Sequence, residues 1–157
     1  MKPHLLLSLT LFLSATALAA QSHLFTWKAD YVGQAYGWVV AGAGDVDADG
    51  FDDVITTMDY NRSQSTQGSG ARVCSGRDGR VLFDIQMQGW GASAVCSAGD
   101  LDRDGHADVA LVEYMPSIVQ WELWVVSGKT PKRLRTTILN GAVSANALAP
   151  AGDVDKD

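Results

Sequence analysis

Nine residues recur in this chain with their chemistry kept. Residues 45–53 read DVDADGFDD and residues 100–108 read DLDRDGHAD, each with carboxylates at positions one, three, five and nine and glycine at position six. A third copy opens at Asp153 as DVDKD, so the copies begin at 45, 100 and 153. Self-similarity at a period of about 50 residues marks a repeat architecture, in which each unit buries its apolar surface only against a neighbour. That period constrains the fold more tightly than any bulk property of the chain.

The spacing within each copy points to a cation. Calcium takes six to eight oxygen ligands, and a short loop supplies them when alternate residues of a tight curl aim inward. In the first copy Asp45, Asp47 and Asp49 offer side-chain oxygens, Phe51 a backbone carbonyl and Asp53 the closing carboxylate. The second copy assigns the same roles to Asp100, Asp102, Asp104, the carbonyl of His106 and Asp108, with the His106 ring expected to face water. Asp153, Asp155 and Asp157 form a partial third site. A solvated acidic surface loop is the rival reading, and repetition of the full template with its glycine argues against it. All-oxygen donors favour Ca2+ over zinc, and magnesium retains too many waters to suit such a loop. An EF-hand would close with glutamate at position twelve between helices. Here that position is Thr56 or Leu111, inside short apolar and β-branched runs that read as strands.

The amino terminus carries an address. Lys2 and His4 precede an apolar run over 5–13, and Ala17-Leu18-Ala19 forms a small-x-small cleavage site, so residues 1–20 read as a signal peptide cut after Ala19 or Ala20. The run is short and interrupted by Ser8 and Thr10, which disfavours a membrane anchor. The mature chain, 21–157, is then expected to be secreted, on the cell surface or periplasmic, with no membrane span. Net charge is −6, and 16 of the 18 acids are aspartate, eleven of them at the ligand positions of the three loops. The charge is mostly ligand supply, and with no basic patch there is no expectation of nucleic-acid binding. Cys74 and Cys96 would reach an oxidising compartment, where a disulfide is permitted. Repeat alignment places them opposite Val126 and Ala41, which fits buried free thiols equally well.

Between the loops the chain alternates like a β protein. Strands are expected over 34–43, 53–58, 71–75 and 80–86 in the first unit, and over 91–98, 108–114, 121–127 and 134–139 in the second. Residues 59–70 read as a polar loop, 76–79 and 128–131 as turns, and 23–29 (HLFTWKA) as an additional strand with Phe25 and Trp27 on one face. Four antiparallel strands per unit of about 50 residues describe a β-propeller blade. Trp38, Trp90, Trp121 and Trp124 are then expected to fill the space between sheets.

Tyr36-Gly37, the Gly44–Gly50 stretch GDVDADG with Asp53, and its counterpart GDLDRDG with Asp108 resemble the FG-GAP repeats of integrin alpha-like propellers and the related bacterial VCBS-type repeat proteins. The resemblance spans about 36–157. It implies an all-β fold of propeller blades stiffened by calcium and used for adhesion or contact with a protein or cell-surface ligand, without catalysis. Thr56-Thr57-Met58 and Leu111-Val112-Glu113 stand where the family often has Gly-Ala-Pro, which favours a diverged bacterial relative over the integrin branch. On this reading the sequence holds about two and a half blades, at about 34–88, 89–141 and 142–157, of a longer protein, with 23–29 as the closing strand of its last blade. No nucleophile-base-acid set stands out, since Ser75 and Ser127 precede turn glycines. Two other readings stay open: the non-catalytic repeat region of a larger secreted enzyme, and a structural calcium module with no partner.

Overall fold

The computed structural model describes residues 25–28, 35–59, 69–89, 91–140 and 147–152. The proposed signal peptide, Trp90 and the partial third loop at 153–157 lie outside the described residues.

Eight strands form two four-stranded antiparallel sheets. The first contains β1 (Ala35–Gly44), β2 (Asp53–Asp59), β3 (Gly70–Cys74) and β4 (Val81–Gln86) in sequential order. The second contains β5 (Ala92–Gly99), β6 (Asp108–Met115), β7 (Gln120–Val126) and β8 (Arg133–Leu139), also sequential. No helix occurs among the described residues. Residues 25–28 carry no strand, contrary to expectation. Trp27 instead donates its Nε1–H to the Gly79 carbonyl at 2.7 Å, and Phe25 lies against Gly79. A side-chain anchor of this kind holds the segment without ladder hydrogen bonds.

The two sheets share a strand register. Val40↔Thr56, Ala41↔Ile55, Gly42↔Val54 and Gly44↔Asp53 in β1–β2 reappear as Val95↔Leu111, Cys96↔Ala110, Ser97↔Val109 and Gly99↔Asp108 in β5–β6. Each pair ends in a bulge just before the acidic loop, where the strand must bend to enter it.

Because side chains alternate across a strand, the register also identifies which faces meet. In the first sheet Ala43, Ile55, Ala71, Val73 and Ile85 enter the shared core. In the second, the core residues are Val95, Val109, Leu111, Trp124 and Val126. The second-unit equivalent of Ile55 is Ala110, which does not join that core, so the front of the first sheet packs on the back of the second. The sheets meet chiefly through β1 against β5, with β2 against β5 and β1 against β6 adding to the contact.

The back of the first sheet has a different chemistry. Thr56, Arg72 and Cys74 stand where the second unit has Leu111, Trp124 and Val126, and Arg72 meets Asp84 through two hydrogen bonds at 2.7 and 2.9 Å. Cys74 and Cys96 are both buried and free. Each lies on the face of its sheet that turns away from the shared core, which rules out a bridge across it. Burial pushes both thiols above the ordinary cysteine range. Of the tryptophans, Trp124 is buried in the core, Trp121 is half-buried, and Trp38 is 79 % exposed, so Trp38 does not fill the space between sheets.

Candidate metal centre

Each acidic loop joins the first two strands of its sheet, and its backbone is organised by its own carboxylates. Asp45 accepts the N–H groups of Asp49 and Gly50, both at 2.9 Å, and Asp49 accepts that of Phe51 at 3.0 Å. Asp100 accepts from Asp104 and Gly105 at 2.9 Å, and Asp104 from His106 at 3.1 Å. Position six is left-handed in both loops, with φ of 89° at Gly50 and 88° at Gly105, which explains its glycine.

Position four is left-handed as well, at 59° for Ala48 and 60° for Arg103, where a Cβ crowds the backbone. Ala48→Gly should therefore stabilise the protein by up to about 1 kcal/mol. Urea denaturation would register this as a higher midpoint with unchanged slope.

The loops bring carboxylates together. One oxygen from each of Asp45, Asp47 and Asp49 lies within 4.8 Å of the others, and Asp100, Asp102 and Asp108 make a second such group. These six could hold a metal ion. Asp53 is outside the first group and Asp104 outside the second. Asp47 Oδ1 is buried with no hydrogen-bond partner, an acceptor that the protein leaves unserved. Its other oxygen receives Arg80 Nη2 at 2.5 Å, and Arg77 approaches Asp49 at 4.0 Å. Arginines from the β3–β4 turn thus partly offset the charge of the first loop. Lys129, in the matching turn of the second unit, reaches only the Asp104 carbonyl, at 3.5 Å.

Asp53 and Asp108 have a further role that the ligand template does not convey. Asp53 is 1 % exposed and accepts from Val46 N at 2.8 Å and Gly76 N at 2.9 Å. Asp108 is fully buried and accepts from Leu101 N at 2.8 Å and Gly128 N at 3.2 Å. Each ties its own loop to the turn between the third and fourth strands. The recurring Ser-Gly pair in both turns was the available signal. Burial raises the Asp53 pKa despite these donors. Partial desolvation and then the neighbouring carboxylates of Asp104, Asp108 and Asp100 raise that of Asp102.

The two loops also touch. Ala107 N donates to Asp45 O at 2.9 Å, and His106 Nδ1 lies 2.8 Å from Val46 O, so this ring nitrogen carries the proton. The His106 side chain is therefore a contact between units and does not simply face water.

Comparison with protein-family models and with curated proteins found no match to this chain. No helix among the described residues is long and apolar enough to cross a membrane.

Proposed function

We propose that this chain is a secreted calcium-binding repeat protein whose units are β-propeller blades, serving as a module for adhesion or protein contact. The observation that carries the reading is the convergence of three carboxylates in each of two loops, sharing template positions one and three and differing in the third member, with the unserved Asp47 oxygen in the first. Such donors suit a hard cation, and calcium tolerates an irregular oxygen shell better than magnesium does. Bound there, calcium would neutralise mutually repelling carboxylates and stiffen the bend between the first two strands of each unit. Front-to-back stacking of the two meanders supports the blade assignment, since every blade of a propeller presents unlike faces to its two neighbours. The apparent signal peptide and the resemblance to FG-GAP repeats support secretion and a contact role.

Calorimetry and thermal melting of the full chain, with calcium and with a chelator, test the proposal. At about 1 mM calcium and a Kd of about 0.1 mM, each site adds about 1.4 kcal/mol, or roughly 3–6 °C in Tm. Asp47→Asn should abolish one site's share of that shift. A chain that takes up no calcium and melts identically with chelator refutes calcium binding.

A further inference from the structure

Glu113 is fully buried, yet it occupies the layer between the sheets. On β6 it follows Val109 and Leu111 on the face turned toward the first sheet. Its unit-one counterpart is Met58, so the repeat itself does not require an acid here. Oε1 accepts the N–H of Gly89, in the connection that carries the chain from one sheet to the next. Oε2 is buried and has no hydrogen-bond partner.

The surroundings of this carboxyl disfavour its charge. Directly opposite on β7 stands Glu122, whose two oxygens already accept Gln120 Nε2 at 2.8 Å and Trp124 Nε1 at 2.9 Å. Like charges facing each other across an antiparallel pair repel. From β8, Arg133 partly offsets these charges, with its guanidinium 3.1 Å from the Trp124 ring centre. Among the described residues of β5 beside Glu113, Ala92 and Ser93 bring no charge, and the connection offers only backbone at Gln88 and Gly89.

We propose that Glu113 makes the passage between the sheets a proton-controlled joint, closed while the carboxyl is protonated and released once it ionises. A neutral carboxyl can remain in the dry layer and hold Gly89. A carboxylate with an unserved oxygen is far costlier to bury, and reaching water removes it from the Gly89 N–H. Burial, the largest influence, and the facing Glu122 raise the Glu113 pKa above the ordinary glutamate value of 4.5, while the Gly89 N–H, Arg133 and the Gln88 backbone pull against them.

The sign follows from linkage. The open form titrates near the ordinary value and the closed form above it. The joint is therefore at full strength below the ordinary value and weakens about tenfold per pH unit until the closed-state pKa is passed. This inference is independent of calcium.

Amide exchange of Gly89 in the full chain, followed from about pH 4 to about 8 and corrected for intrinsic exchange, measures the opening. Protection should fall about tenfold per pH unit within the window and stay flat in Glu113→Gln. Constant protection in the unsubstituted chain, or a slope that survives Glu113→Gln, overturns the proposal. Should that variant not fold, two readouts remain. The Glu113 carboxyl carbon of the unsubstituted chain should titrate above 4.5, and Glu122→Gln should move the exchange window to lower pH. Titration at or below 4.5, or an unmoved window, counts against the joint.

Discussion

Asp53→Ala and Asp108→Ala should each destabilise the protein by on the order of 3–5 kcal/mol, even with no divalent ion present. Each carboxylate is essentially buried and serves two backbone donors, one at the head of its own loop and one at the turn between the third and fourth strands. Hydrogen bonds to a charged acceptor contribute about 1.5–3 kcal/mol, and removing the acceptor leaves both N–H groups in a pocket from which water is excluded. Asn preserves the shape but turns an N–H toward one donor, so Asp→Asn should recover only part of the loss. Chemical denaturation in chelator checks this. Destabilisation seen only with calcium would mean that these residues act as ligands alone.

The turn glycines come next in size. A Cβ on Gly76 would fall inside van der Waals contact with the carbonyl oxygen of Asp52, and one on Gly128 with that of Ala107. Both obstacles are backbone, pinned on either side by the ladder and by Asp53 or Asp108, so neither can retreat cheaply. Gly76→Ala and Gly128→Ala should cost about 3 kcal/mol or more, at the upper end for overpacking. Gly50→Ala provides a contrast, since a Cβ there meets open space and the penalty comes from its positive φ alone, on the order of 1–2 kcal/mol. Comparing the three by thermal melting separates lack of room from backbone strain. Equal losses at all three would refute the steric account.

Much of the architecture could be read in the chain because punctuation and alternation agree. Asp-Gly loops and Ser-Gly turns bracket runs such as VLFDIQ and RLRTTIL, so each of the eight strands is found within a residue of where alternation places it. The shared members of the converging groups, Asp45 and Asp47 and their counterparts Asp100 and Asp102, were legible from the template, but the third member was not, being Asp49 in one loop and Asp108 in the other. What sequence did not convey depends on neighbours distant in the chain. The β6 run DVALVE is buried on both faces, so alternation is silent about which side meets the first sheet and gives no sign that Glu113 is buried there. His106 bonds to a residue 60 positions away, and Trp38, apolar by type, lies on a face left largely open. Arg77 and Arg80 are ordinary turn residues until folding lays them on Asp49 and Asp47.

Packing the front of one unit on the back of the next also redirects where a defect can be repaired. Ile55 and Val73 share one core with Leu111 and Trp124, while the matching positions of the second unit, Ala110 and Val125, lie outside it. Second-site suppressors of a lesion in one sheet should therefore be sought at positions of the other sheet that do not match it in register.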